Sequence, residues 1–162
     1  MAIDPKEFRR TVGQFVTGVT VIAADIDGKT RGMTANAFTS LSLDPPLLLF
    51  CLAKKAHLGE VIHSVKGFSV NILTIDQVPL SQYFSGGWKE ETPPPFKFEP
   101  WEGGPKLAGV SAAIGCAIET IHEGGDHFIV VGRVLSLYRS EPAAQPLVFS
   151  AGRYTALAET VA

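Results

Sequence analysis

The stretch AAIGCAIETIHEGGDHFIVVGRVLSLY, residues 112–138, decides the fold. Its two ends are runs rich in apolar and β-branched residues, and they predict two long strands joined at residues 122–126. The two glycines before Asp126 suit a tight turn between those strands. His127 begins the second strand, so its side chain can point out over the rim of the sheet. Asp126 and His127 either hydrogen-bond within a hairpin corner or supply a functional histidine, and spacing alone leaves both interpretations open.

Strand signals recur along the rest of the chain. Asp27-Gly28 is a strong type I′ hairpin signal between two β-like runs. The segment LLLFCLA, residues 47–53, is an uninterrupted apolar run, which is typical of a strand buried on both faces. FSVNIL, residues 68–73, predicts a further strand, and PLVFSAGRYTAL, residues 146–157, predicts a last one.

Short helices are predicted between these strands. The first begins at Asp4, the N-cap, with Pro5 in its first turn and Glu7 placed for a capping box, and it ends at Gly18. Its apolar residues Phe8, Val12 and Phe15 share one face.

Two more helices follow from apolar spacing, over residues 56–65 and 76–84. Residues 85–106, with two Gly pairs, three consecutive prolines and two tryptophans, predict a long ordered loop or flap. Six or so strands with a few short helices predict a mainly β fold, a closed or nearly closed antiparallel barrel. The length fits a single domain over residues 1–162.

Composition argues against several classes of function. The 14 basic and 16 acidic residues give a net charge of -2 without a basic stripe, which argues against a nucleic-acid partner. The longest apolar run falls far short of the roughly 20 residues of a membrane span. The start MAIDPKEF has no signal-peptide pattern, and Cys51 and Cys116 lie in apolar runs, so we expect packed thiols in the reducing cytoplasm. Neither a G-x-G-x-x-G turn nor a P-loop is present.

Two segments carry groups suited to a ligand. Residues 33–46 concentrate hydroxyls and a carboxamide between predicted strands, and such groups can hold a phosphate or a heterocycle edge. Residues 51–62 place Lys54 and Lys55 before a predicted helix, where an anion can bind. The alternatives are a self-capping turn and a solvated lysine pair. A ligand with a phosphate tail would use both segments.

Metal and covalent chemistry are poorly supported by the sequence. His122 and His127 lack the partners and spacing of a metal site, so we predict no metal. A catalytic triad would need a nucleophile on a strained turn, and neither cysteine occupies one.

The chain resembles the flavin reductase-like family, the short NAD(P)H:flavin oxidoreductases that often serve two-component flavin monooxygenases. The resemblance covers roughly residues 5–158. It is carried by FRRTVGQFVTGVTVI, GMTANAFTSLSLDPPLLLFCL and GGDHFIVVGRV in the family's order, with SAGRYTAL near the end. It implies an FMN-binding split β-barrel, a closed antiparallel Greek-key barrel, that forms a homodimer with FMN or FAD at the subunit interface.

The resemblance also implies which residues bind each ligand. For the flavin it implies Met33, Thr34, Ala35, Asn36, Thr39, Ser40, Cys51, Leu52, Ala53, Lys54, Lys55, His57 and Leu58, with Phe84 or Trp88 flanking the ring. For the nicotinamide of NADH or NADPH it implies Asn36, His127, Arg153 and Tyr154, with His127 as the catalytic residue.

Hydride transfer from nicotinamide to flavin requires no protein nucleophile, which agrees with the absence of one here. The leading hypothesis is an NAD(P)H-dependent flavin reductase that passes reduced FMN or FAD to a partner monooxygenase. One alternative is an oxidoreductase with tightly bound FMN that reduces ferric ion or a cobalt corrin. Another is a non-catalytic flavin-binding electron carrier.

Overall fold

The computed structural model describes residues 2–158, which form twelve strands and three α-helices. The helices are α1 (Pro5–Val12), α2 (His57–Val61) and α3 (Val78–Phe84), with 3-10 turns at Ile62–Ser64 and Ile75–Gln77. The strands are β1 (Thr17–Gly18), β2 (Thr20–Ile26), β3 (Lys29–Ala35), β4 (Phe38–Leu43), β5 (Pro46–Ala53), β6 (Gly67–Ile72), β7 (Phe98–Glu99), β8 (Lys106–Leu107), β9 (Ala112–Gly124), β10 (His127–Arg139), β11 (Val148–Ser150) and β12 (Arg153–Thr155). The predicted domain spanned 1–162, and its residues 1 and 159–162 lie outside the described residues.

Seven strands form one antiparallel sheet in the order β3-β2-β6-β9-β10-β5-β4. The β9–β10 hairpin lies near its centre, and the two strands have 13 residues each, so the prediction from residues 112–138 is confirmed. Gly125 adopts φ 67° at the turn, a conformation that glycine reaches without strain. The Asp27-Gly28 hairpin is also confirmed, since both residues have the positive φ of a type I′ turn.

The seven-stranded sheet rolls around one core. Strands β5 and β6 are three positions apart, which in a flat sheet is about 14 Å. Nevertheless the rings of Phe50 on β5 and Phe68 on β6 lie 4.9 Å apart, edge to face. Ile22 on β2 and Val130 on β10 join the same buried cluster from two further strands, and Leu48 joins it from β5. The fold is therefore mainly β, with a curled antiparallel sheet.

The predicted closed barrel is not seen in the strand pairing of residues 2–158, which is that of a curled sheet with two edges. Strands β3 and β4 are linked only by Asn36 and Ala37, yet they are the two edges of the sheet. No ladder joins them within residues 2–158.

A second core forms outside the sheet, between β2, α3 and the segment before β9. It includes Val21, Leu80 and Leu107, all buried. Buried Asn71 connects the layers, because its amide donates to the Val21 carbonyl at 3.0 Å and accepts from the Leu107 amide at 2.8 Å. Phe98 and Trp101 pack against this second core, which agrees with the prediction of an ordered segment over 85–106.

Three predicted boundaries were wrong. Helix α1 ends at Val12, not at Gly18, because the Gly13 carbonyl accepts from the Ala151 amide at 2.8 Å and Thr17-Gly18 then pair with β11. Asp4 caps the helix by accepting from the Lys6 amide at 2.9 Å.

The other two concern strands. Residues 38–43, expected as a polar stretch between strands, form β4, since an edge strand tolerates outward hydroxyls. Residues 146–157 form two strands, not one, because Ala151 and Gly152 turn the chain with positive φ. None of the helices in residues 2–158 combines the length and the apolar character that crossing a membrane requires.

Candidate functional site

Strand β5 has two unlike faces, and the outer one carries the candidate site. Leu48, Phe50 and Leu52 point into the core and are buried. Cys51 and Ala53, which alternate with them, are only partly buried. The prediction of a strand buried on both faces was therefore wrong, because the rolled sheet covers one face only.

A cleft of about 890 Å³ opens on this outer face. That volume falls within the usual range of small-molecule sites, about 300–1,000 Å³. The lining is mostly apolar, with polar groups from Thr17, Asn36 and Thr39. The Asn36 amide donates to the Thr17 hydroxyl at 3.3 Å, which connects the β3–β4 link to the start of the first strand. The further lining residues come from three regions, namely Phe8, Arg9, Val12, Gly13, Phe15, Val16, Gly18 and Thr20, then Ala37, Phe38, Leu49, Cys51 and Ile72, and finally Phe149 and Gly152.

His127 lies next to this cleft along the same sheet face. It pairs with Ala53, and Ile129 pairs with Cys51, which lines the cleft. Residues two apart on a strand share a face and are about 7 Å apart. His127 is therefore one side-chain position beyond the Cys51 end of the cleft, and its side chain is 45% exposed.

Asp126 orients the His127 ring. The Nδ1 atom of His127 lies 2.8 Å from Oδ1 of Asp126. The hydrogen bond with His127 lowers the pKa of the Asp126 carboxyl below its ordinary range. An ionised carboxylate can only accept, so the proton of this hydrogen bond resides on Nδ1. In the neutral ring the other nitrogen, Nε2, then carries the free lone pair.

The turn that holds Asp126 is itself fixed to strand β5. The Lys54 amide donates to the Asp126 carbonyl at 3.0 Å, directly after the strand ends. This bond extends the β5–β10 ladder by one step, so the backbone of Asp126 and His127 is fixed at the end of these two strands.

Comparisons with known proteins agree with this geometry. Residues 12–158 match the family model described as the flavin reductase like domain. The chain belongs to this family. The prediction made from the three motifs is confirmed.

Three relatives are matched over 80–100% of their own lengths. The chain is 39% identical over 160 residues to the reductase subunit HsaB of a flavin-dependent monooxygenase from Rhodococcus jostii, covering 96% of this chain and 80% of HsaB. The structure of the flavin reductase PheA2 superposes with a TM-score of 0.90 and 39% identity, covering 97% of this chain and 100% of PheA2. The NADH:FAD oxidoreductase SgcE6 of Streptomyces globisporus, in complex with NAD and FAD fragments, gives a TM-score of 0.87 and 36% identity over 100% and 99% of the two chains.

The structure brings some of the predicted ligand residues of this flavin reductase domain together. Asn36, Thr39 and Cys51 line the cleft. Ala53 and His127 follow directly on the same face. Ser40 is exposed on β4, one residue beyond Thr39.

Strand alternation directs other predicted residues elsewhere. The side chains of Ala35, Leu52 and Leu58 are in the core, and Met33 packs against it. The Thr34 hydroxyl donates to the Ser81 carbonyl on α3 at 2.7 Å. The side chains of these residues do not line the cleft, and their contribution to flavin binding stays a prediction.

The predicted cationic segment has a different environment from the one expected. The Lys54 ammonium forms an ion pair with Glu123 and lies 5.2 Å from the centre of the Phe128 ring. Phe128 belongs to the core, so Lys54 covers the end of the rolled sheet. Lys55 and His57 are exposed and do not line the cleft.

The side chains of Phe84, Arg153 and Tyr154 do not line the cleft. Phe84 packs against Gly32 and stacks edge to face with Phe96 at 5.1 Å. The Tyr154 hydroxyl hydrogen-bonds the Ser81 hydroxyl at 2.9 Å, and Arg153 is exposed. Their predicted contacts with ligands stay predictions.

Sequence reasoning missed the contribution of the N-terminal segment. Phe8, Arg9 and Phe15 line the cleft, although none of them was among the predicted ligand residues. The available signal was the apolar face shared by Phe8, Val12 and Phe15, which the structure leaves exposed on α1 and just beyond it.

Proposed function

We propose that this chain is an NAD(P)H:flavin oxidoreductase that supplies reduced FMN or FAD to a partner monooxygenase. The observation that carries the proposal is the continuous sheet face that joins an aromatic-lined cleft to His127. The relatives support it, since HsaB is named as a reductase subunit of a flavin-dependent monooxygenase. SgcE6 is named as an NADH:FAD oxidoreductase.

The cleft suits a flavin in both shape and chemistry. Its apolar walls include Phe8, Phe38 and Phe149, which offer ring faces and edges to a flat heterocycle. Asn36 and Thr39 are among the few polar residues of the lining, and a largely apolar site uses such groups to fix the orientation of its ligand. We assign Asn36, Thr39 and Cys51 to the flavin, whether FMN or FAD.

The chemistry itself belongs to the two ligands, since hydride passes from the nicotinamide to the flavin when both are bound. The protein has to align the rings and exclude water. His127 presents Nε2 toward the ligand side because Asp126 holds Nδ1. In its neutral form Nε2 accepts a hydrogen bond, which suits the carboxamide N–H of a nicotinamide from NADH or NADPH.

We further propose that two copies assemble as a homodimer of FMN-binding split barrels in the cytoplasm. Phe15, Leu43 and Leu137 are 78%, 94% and 75% exposed, and a contact between two copies that covers these apolar side chains would remove them from water. Light scattering coupled to size exclusion should give twice the chain mass, and a stable monomer would contradict this assembly.

A steady-state matrix tests the activity. NADH and NADPH are each combined with FMN, FAD and riboflavin, and the spectrum of the purified protein is recorded. The proposal expects flavin-dependent oxidation of at least one nucleotide, faster with flavin than without. Absence of flavin binding and of flavin-dependent oxidation in every combination would refute it.

A coupled assay tests delivery to an oxygenase. Reduced flavin released by the enzyme should support hydroxylation by a flavin-dependent monooxygenase across a dialysis membrane. Flavin that stays bound, with no hydroxylation across the membrane, would contradict release.

A further inference from the structure

One charged residue lines the cleft, and it is Arg9 on helix α1. Within residues 2–158 every other lining side chain is apolar, a hydroxyl, a thiol or the Asn36 amide. A guanidinium stays protonated at any physiological pH. The cleft therefore carries one fixed positive charge and no carboxylate.

Arg9 has no ion-pair partner among the described residues. The neighbouring carboxylate of Glu7 pairs with Arg10 at 2.6 Å, one position further along the helix. Arg9 is exposed, and its backbone carbonyl accepts from the Gly13 amide that caps the helix. Its guanidinium is thus available to an anionic ligand.

The lysines that the sequence offered for an anion are placed differently. Lys54 is paired with Glu123 at the end of the rolled sheet, and Lys55 lies outside the cleft lining. Among the described residues, Arg9 is the cationic residue of the cleft lining.

We propose that Arg9 binds a phosphate group of the nucleotide ligand in the cleft and makes the enzyme prefer phosphorylated ligands. The planar guanidinium forms paired hydrogen bonds to phosphate oxygens, as it does in other phosphate sites. The phosphate is either that of the flavin or that of the pyridine nucleotide, and the two share this chemistry. The inference rests on the proposed flavin reductase function.

The experiment compares Arg9→Gln with Arg10→Gln, which removes one charge from the same helix outside the cleft lining. Arg9→Lys is the conservative variant. Dissociation constants are measured for FMN, FAD and riboflavin, and KM is measured for NADH and for a phosphate-free dihydronicotinamide. Loss of a charge-assisted hydrogen bond predicts weaker binding of the phosphorylated ligand by about tenfold to a hundredfold.

Several outcomes support the inference. If Arg9→Gln weakens FMN and FAD but not riboflavin, the flavin phosphate is the partner. If it raises KM for NADH but not for the phosphate-free donor, the pyridine nucleotide supplies the phosphate. In either case Arg9→Lys should bind the phosphorylated ligand better than Arg9→Gln, and Arg10→Gln should match the wild type. Added salt should weaken binding of the phosphorylated ligand less in Arg9→Gln than in the wild type.

Other outcomes overturn it. Equal losses for phosphorylated and phosphate-free ligands would give Arg9 a purely structural role, and no loss for any ligand would remove it from the site. Riboflavin reduction by the wild type distinguishes failure of the Arg9 inference from failure of the proposed flavin reductase function. If riboflavin is reduced but the Arg9 and Arg10 variants behave alike, only this inference fails, whereas no flavin reduction at all refutes the proposed function.

Discussion

The two faces of strands β5 and β10 differ in burial, since one face packs in the core and the other lies beside the cleft. On the inner face Phe50, Leu52 and Val130 are fully buried, and each is fixed by neighbours from several strands. On the outer face Cys51 and His127 remain partly exposed beside the cleft. The inner side chains therefore stabilise the fold, and the backbone hydrogen bonds that the two faces share hold the outer side chains in place beside the cleft. Changes on the inner face should affect folding, and changes on the outer face should affect binding and turnover.

The two cysteines test this contrast most sharply. Cys116 is buried in the core, and burial raises its pKa to about 12 from 9.0, which lowers its thiolate fraction about a thousandfold. Cys51 is partly exposed and lines the cleft. Under native conditions a maleimide should label Cys51 and leave Cys116 intact, as read by mass spectrometry after digestion.

Flavin extends the labelling experiment to the cleft. Saturating FMN or FAD should slow labelling of Cys51, while unfolding should expose both thiols. Labelling of Cys116 in the folded protein, or labelling of Cys51 that flavin does not slow, would contradict the assignment of the two faces.

Phe50→Ala tests the inner face. Phe50 is fully buried against Phe68, and removing a buried ring of this kind costs about 3–5 kcal/mol of the free energy of unfolding. Urea denaturation measures the loss. The matched change on the outer face is Leu49→Ala, which should cost less because Leu49 is only partly buried. Equal losses for the two variants would contradict the difference between the faces.

His127→Ala tests the outer face. Losing one hydrogen bond to the nicotinamide should reduce kcat/KM for NADH or NADPH by about 1–3 kcal/mol of transition-state stabilisation. Flavin affinity and the urea midpoint should stay close to those of the wild type. His122→Ala is the control. His122 lies on the same hairpin, and its side chain hydrogen-bonds only the Thr120 hydroxyl among the described residues. Asn36→Ala should show the reverse pattern, with flavin binding reduced more than nucleotide use.

Equal losses for flavin and nucleotide in His127→Ala would place the histidine in the flavin pocket or in the fold. A large stability loss would show that the Asp126 contact is structural.

The contrast also shows what the sequence could predict. The β9–β10 hairpin and the Asp27-Gly28 turn were predictable because their signals are local, namely glycines with positive φ between β-branched runs. The position of His127 at the rim follows from that same hairpin. The resemblance to the family predicted Asn36, Thr39 and Cys51 as flavin-binding residues; all three line one cleft, and their contact with flavin stays a prediction.

The remaining features depend on contacts between distant segments. Helix α1 ends early because Gly13 bonds Ala151, 138 positions later in the chain. Gly13 and Arg9 both line the cleft. Lys54 forms an ion pair with Glu123 from another strand, and its predicted contact with the flavin stays a prediction. A local pattern contains none of these partners.

Asp126→Asn should have the smallest effect, and it tests how the hairpin orients His127. The side-chain oxygen of asparagine can still accept a hydrogen bond from Nδ1–H of His127, but it carries no charge. KM for NADH should therefore rise less than in His127→Ala. Because the pKa of Asp126 is lowered on folding, the bond stabilises the folded protein at pH values above 3.8, the ordinary value, and this contribution is lost as the pH falls through the lowered pKa. Any difference in Tm between wild type and variant should therefore be present at pH 7 and disappear in acid. Asp76→Asn, on the turn before α3, is the control. A variant as impaired as His127→Ala would mean that the Asp126 carboxylate itself contacts the ligand.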